Sequence, residues 1–227
     1  LGSKIAAARV QGFQGDDLTS PHTVAACAKH FAAYGFAEGG RDYNTVDIGL
    51  NTLHNIVLPP FKAAVDAGVK TFMNSFNDLN GIPATADAYL QRDLLKGAWG
   101  FDGFVVSDWG SLREMMDHGY AKDRKHAGEL ALNGGSDMDM ESYIYFEELE
   151  GLLKEKKVTL AQIDDAVKRI LRVKYELGLF DDPYRYLDEK REKEVIGSQE
   201  ILDGVLDMAK KSIVLLKNEK QTLPLKK

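Results

Sequence analysis

The 227-residue chain has one cysteine, Cys27, and six prolines. A single thiol excludes an internal disulfide and any zinc site built on several cysteines. It leaves the redox compartment open, because a chain of this size can fold without disulfides. No run of about 18 apolar residues is present, so no segment reads as a membrane-crossing helix. Positive charge is in deficit: 29 Lys plus Arg stand against 35 Asp plus Glu, a net charge of −6. General nucleic-acid binding needs a basic face, so that class is set aside. The histidines, at 22, 30, 54, 118 and 126, have no His-x-His or His-x-x-x-His spacing, and no zinc site is expected from them. No Gly-x-Ser-x-Gly elbow offers a serine nucleophile, and Cys27 has no obvious base partner. What is present is an ordinary globular composition, 44% hydrophobic and 28% charged, enough for one buried core.

Apolar runs alternate with helical patterns. Val24 to His30, Lys70 to Ser75, Gly103 to Ser107 and Asp137 to Met140 read as strands, the third being the clearest because its β-branched centre lies between Gly103 and Asp108. Helices are expected from about Asn51 to Asp66 (interrupted at Pro59-Pro60), Asp87 to Ala98, Ser111 to His118, Arg124 to Asn133, Tyr145 to Lys156 and Leu160 to Leu177. A Gly-rich loop spans Gly35 to Asn44, and a polar loop spans Asn77 to Pro83. This β-α-β-α order predicts an α/β fold with a parallel sheet and helices packed outside it. Four strands are too few for a (β/α)8 barrel of about 250 residues, so the expectation is the later portion of such a barrel over residues 1–180. Phe180 to Lys193 is polar and reads as a linker. Residues 181–211 are taken as linker plus a helix near Gln199 to Lys211. Residues 212–227, with the strand-like Ser212 to Leu216, are taken as the start of a second α/β domain. Leu1 is not a Met, and the chain stops in Leu223-Pro224-Leu225-Lys226-Lys227; both are read as marks of a piece of a longer polypeptide.

Several residues could carry chemistry. Asp108 follows the third strand, and residues at the C-terminal ends of barrel strands face the active site. A carboxylate there could attack or take a proton; it could equally cap the next helix. Trp109 beside it suits the floor of a sugar site, or ordinary core. Lys29 and His30 close the first strand and could donate to hydroxyls; the alternative is a Lys reaching solvent and a His satisfied in the core. Gly39-Gly40 permits a tight turn that could aim Arg41 inward, whereas a plain surface turn with an ion pair would explain the same residues. The loop lacks the spacing of a phosphate-binding loop. Asp137 and Asp139 alternate along a strand, which allows a polar interior, a cation site or a structural network.

The runs that join these residues resemble glycoside hydrolase family 3, the β-glucosidase and β-xylosidase family, closest to its bacterial β-glucosidase branch. They are Lys29-His30-Phe31-Ala32-Ala33-Tyr34-Gly35, the stretch from Glu38 to Asp47, Leu58-Pro59-Pro60-Phe61-Lys62, Asn80 to Thr85, and Trp99 to Trp109. Val214 to Asn218, with Leu223-Pro224-Leu225, looks like the family's passage into its second domain. The resemblance implies that Asp108 is the catalytic nucleophile, that Lys29 and His30 hold sugar hydroxyls, and that Arg41 and Trp109 line the same subsite. Phe76 stands where many members carry Tyr, and it supplies no phenolic oxygen. The branch that removes N-acetylglucosamine has Lys-His-Phe-Pro-Gly-His-Gly, which Ala32-Ala33-Tyr34 does not match.

The same resemblance implies a retaining, exo-acting enzyme that releases terminal β-linked glucose from a β-glucoside or oligosaccharide. No metal or other cofactor is required. The early barrel strands and the acid/base Glu would lie outside this chain, and Glu38, Glu114 and Glu141 do not match that acid. Family members are often periplasmic or secreted; the chain itself carries no signal that decides its compartment. The competing expectation is a non-catalytic half-barrel scaffold, a homo-oligomer covering its bare sheet edges, or a sugar-binding fragment.

Overall fold

The computed structural model describes residues 1–225. They fall into two compact units, Leu1–Pro183 and the chain from Tyr184 onward.

In the first unit, helix α1 (Gly2–Gln14) leads through a turn-rich segment to strand β1 (Cys27–Phe31). The buried Gln14 amide joins three segments. Its Nε2 donates to Gly68 O, and its Oε1 accepts from the backbone N–H groups of Ala26 and Lys70, at 2.9, 3.2 and 3.1 Å. It thus aligns the starts of β1 and of β2 (Thr71–Asn74). A helical rod precedes β2: Leu50–Thr52, a wider π turn Leu53–Val57, and helix α2 (Leu58–Asp66). Pro59-Pro60 does not interrupt it as expected. The two prolines sit in the first turn of α2, directly after the wider π turn, and the backbone stays helical through Val57 and Leu58. The loop expected from Asn77 to Pro83 is a short antiparallel hairpin, β3 (Asp78–Leu79) with β4 (Ile82–Pro83), turned by Asn80 and Gly81, both at positive φ. A π-type helix α3 (Tyr89–Ala98) then leads to β5 (Phe104–Val106).

Strands β1, β2 and β5 form one parallel sheet in that order. Met138 extends it by a parallel bridge to Val106, so the fourth expected strand is present as a single pairing. Helices α4 (Ser111–Asp117), α5 (Arg124–Gly134), α6 (Ile144–Lys154) and α7 (Leu160–Glu176) follow. The core centres on Phe31, Phe72 and Phe101, whose rings meet edge to face at 5.2 and 4.9 Å. Each such buried ring contributes about 2 kcal/mol. Gly103 is required where β5 begins: a Cβ there would lie 2.1 Å from Lys70 O.

The end of β5 is clasped by the Asp137 segment. The N–H groups of Asp137 and Met138 both donate to Val105 O, and Val105 N–H donates back to Asp137 Oδ2 at 2.8 Å. The other oxygen, Oδ1, pairs with Lys96 Nζ of α3 at 2.6 Å, and the same ammonium donates to Gly135 O. Both side chains are almost fully buried. Asp139 Oδ2 accepts from the N–H groups of Ile144 and Tyr145 at the start of α6. Of the three roles left open for Asp137 and Asp139, the structural network is the one formed.

In the second unit, α8 (Glu189–Val195) occupies part of the stretch expected to be a linker, because Asp188 caps it through Oδ1. Helix α9 (Gln199–Ser212) follows, capped by Ser198. The strand expected from Ser212 to Leu216 does not form among the described residues. Ser212 ends α9, and Ile213 to Leu216 lie outside any regular element and exposed. A strand needs a neighbour for its backbone groups, and no described segment pairs with this one.

Lys96→Met leaves the Asp137 carboxylate buried without its partner. Urea denaturation is expected to show a loss of about 3–5 kcal/mol. A loss under about 1 kcal/mol would mean that the pair does not hold α3 to the sheet.

Candidate active site

Residues after strand ends line the mouth of the half-barrel, and Asp108 stands there after β5. Its position is fixed from three directions. Ser107 N–H donates to Met138 O, Ser107 Oγ accepts from Met140 N–H and donates to Asp108 O, and Gly110 N–H donates to Met140 O. The capping alternative does not hold for the side chain. Helix α4 starts after Gly110 (φ +69°), and it is the Asp108 carbonyl that accepts from Ser111 N–H. The carboxylate instead takes Trp109 N–H on Oδ1 at 2.7 Å. Its Oδ2 has no hydrogen-bond partner among the described residues, and His30 Nε2 lies 3.4 Å from it.

His30 comes from the end of β1, and β2 lies between β1 and β5, so the pairing spans the sheet. Burial lowers the imidazole's affinity for a proton and Lys29 lowers it further, while Asp108 and Asp42 act in the opposite direction. The ring packs edge-on against Tyr34, centroids 5.4 Å apart. The Tyr34 hydroxyl donates to Asp42 Oδ1. Burial, with that carboxylate beside it, pushes the phenol well above its ordinary range. Asp42 also accepts Tyr43 N–H, fixing the Gly-rich loop.

The remaining expected residues are less closely joined. Lys29 lies beside His30 in sequence, but its Nζ meets Met73 Sδ at 3.7 Å. Trp109 is 62% exposed, an open indole face next to the carboxylate. Phe76 packs against Tyr34 and Tyr43, centroids 6.0 and 4.6 Å away, and its carbonyl accepts from His118 Nε2. Arg41 is exposed, lies back along Gly39, and forms no hydrogen bond or ion pair with Asp108 or His30 among the described residues. The ion pair expected of a plain surface turn is also absent there among the described residues. Tyr34, Asp42 and Tyr43 lie within the runs that carry the family resemblance, yet sequence reasoning missed them as site residues. Only the loop's closure onto β1 brings them to His30, and no local spacing announces it.

A shallow cleft of about 430 Å3 runs from Lys29 and His30 past Tyr34 to Phe61. Among the described residues no group of three or more His, Cys, Asp or Glu is placed to hold a metal ion, and no helix is long and apolar enough to cross a membrane. A carboxylate with one oxygen held and one oxygen free, beside an imidazole and an open indole, has the chemistry to attack or to bind a hydroxylated ring.

The pattern described as the N-terminal domain of glycosyl hydrolase family 3 matches residues 1–173. A periplasmic β-glucosidase of Salmonella typhimurium is 45% identical over 221 residues, which is 96% of this chain and 29% of that protein. A putative β-xylosidase of Formosa agariphila is 36% identical over 225 residues, again 96% and 29%. Among solved structures, a β-glucosidase from Listeria innocua in complex with glucose is 41% identical with a TM-score of 0.92, covering 98% of this chain and 31% of that one. A mutant of the same enzyme in complex with laminaribiose superposes with a TM-score of 0.94. The chain thus spans about 30% of the length of the relatives it matches. Its parallel strands and outer helices are a portion of the family's (β/α)8 barrel, and the chain belongs to glycoside hydrolase family 3.

Proposed function

We propose that this chain is the nucleophile-bearing part of a retaining, exo-acting β-glucosidase. The observation that carries the reading is the free Oδ2 of Asp108, buried at the barrel mouth and facing His30. In the first step Oδ2 attacks the anomeric carbon, and the bond to the leaving oxygen breaks as that oxygen takes a proton from an acid. In the second step water attacks the glycosyl–aspartyl ester and returns a proton to the same acid, freeing the carboxylate. The acid is supplied from outside the described residues, as are the earlier barrel strands. Residues 1–180 belong to the barrel, 181–211 connect, and 212–227 open a second α/β domain. His30 and Lys29 orient ring hydroxyls, Trp109 is the ring's floor and Phe76 an apolar wall, and Arg41 joins them only by turning away from Gly39, along which it lies. Such orientation converts binding energy into rate. The glucose and laminaribiose complexes of the Listeria enzyme support a β-glucoside as substrate.

In the whole protein, Asp108→Gly is expected to lower turnover of an aryl β-glucoside by more than about 1000-fold. Added azide restores part of it by entering from the vacated side, giving the α-glucosyl azide. Unchanged turnover would remove Asp108 from the role. In the chain itself, histidine NMR titration reports the surroundings of His30. Asp108→Asn takes away a negative neighbour and is expected to lower the His30 pKa further, and Lys29→Met to raise it. A rise in the Asp108→Asn variant would contradict the placement of the carboxylate against the ring.

A further inference from the structure

Asp42 has no part in the proposed attack, yet one of its oxygens holds two residues that frame it. Asp42 Oδ1 accepts from the Tyr34 hydroxyl and, at 3.0 Å, from Tyr43 N–H. Tyr34 opens the short 3-10 turn that follows β1. Its ring meets His30 edge-on at 5.4 Å and lies 6.0 Å from Phe76. The Tyr43 ring lies 4.6 Å from Phe76. Tyr43 has φ +63°, a conformation that non-glycine residues rarely adopt. The bond to Asp42 and the contact with Phe76 offset that strain. The base of the loop is closed without Asp42: Glu38 N–H donates to Thr45 O at 3.0 Å, and Val46 N–H donates to Asp78 O at 2.9 Å. Losing the Asp42 carboxylate therefore frees the two aromatic rings and leaves the loop's base in place.

These contacts form a continuous path to the nucleophile. It runs from Asp42 to Tyr34, from Tyr34 to His30, and from His30 Nε2 to Asp108 Oδ2 at 3.4 Å. A phenol donates only while it keeps its proton. Burial and the Asp42 carboxylate, with Asp108 adding its charge, hold the Tyr34 pKa well above its ordinary range. An imidazole can turn about its two side-chain bonds, and an edge-on neighbour limits that rotation. We propose that Asp42 is a positioning residue for the reaction. Through Tyr34 it fixes the His30 ring against Asp108, and with Tyr43 it fixes the Phe76 wall. It acts as a hydrogen-bond acceptor on these rings and not on the reacting atoms. The inference rests on the attack at Asp108, because that attack is what an aimed His30 serves. Contacts to sugar hydroxyls strengthen toward the transition state, so lost aim lowers kcat more than it raises KM.

The test is steady-state hydrolysis of an aryl β-glucoside by the whole protein carrying Tyr34→Phe, Asp42→Ala, both together, or Asp42→Asn. Tyr34→Phe keeps the ring and its packing, so it decides the matter even where Asp42→Ala disturbs the loop. Each of these two is expected to lower kcat about fivefold to tenfold and to leave KM within about threefold, the size of one lost hydrogen bond. The double variant is expected to be no slower than either single one, because both remove the same bond. Asp42→Asn keeps an acceptor oxygen and is expected to hold kcat within about twofold of the unsubstituted protein. An unchanged kcat in Tyr34→Phe, a loss confined to KM, losses that multiply in the double variant, or an Asn variant as slow as the Ala one would each overturn the positioning role and leave the attack intact. Labelling of the unsubstituted protein by a 2-deoxy-2-fluoro β-glucoside on a residue other than Asp108 would remove the attack, and the positioning role with it.

Discussion

Everything at the barrel mouth depends on how firmly β5 is held to the segment after α5. Val105 exchanges hydrogen bonds with Asp137 through backbone and side chain, and Lys96 neutralises the other carboxylate oxygen. Two residues further on, Ser107 repeats the clasp with Met138 and Met140. Asp108 is the next residue. Its backbone therefore has little freedom left, and its carboxylate is aimed by the strand end and not by flexible loop. Nucleophilic groups act best when orientation is set before the substrate arrives. The buried ion pair is costly to desolvate, and what it secures is this register.

The second constraint is electrostatic. Asp108 keeps one oxygen on Trp109 N–H and turns the other toward His30. His30 in turn is bounded by Lys29, Tyr34 and Asp42, so two carboxylates and one ammonium act on a single imidazole. Burial favours the neutral ring, and a neutral ring can donate to a hydroxyl or to Asp108 without cancelling the carboxylate's charge. The Gly-rich loop contributes Asp42 to this set, and two positive-φ glycines, Gly39 and Gly40, let the loop fold back toward β1.

Much of the fold was legible in the sequence. The β-branched run before Asp108 and the Gly103 that begins it mark an element through local chemistry. So does the order of strands and helices. Less legible was whatever depends on partners distant in the chain. Pro59-Pro60 suggests a break, but the helical rod runs through it, with a wider π turn immediately before the prolines. Ile213 to Leu216 has the composition of a strand, yet composition supplies no neighbour to pair with. Asp188 turned a charged stretch that reads as linker into a capped helix.

The site divides in the same way. Asp108, His30 and Trp109 are marked by standing at strand ends within runs shared with the family. Tyr34, Asp42 and Tyr43 are not marked in this way, because a loop closing onto a strand leaves no periodic trace. Arg41 was legible as a charged residue in a tight turn, but not the direction of its side chain, which lies along Gly39. The most direct measurement is to trap the whole protein with a 2-deoxy-2-fluoro β-glucoside, digest it and map the modified peptide by mass spectrometry. The account predicts one covalent fluorosugar on Asp108, in the peptide that runs from Gly103 through Trp109. An adduct on any other side chain would contradict it.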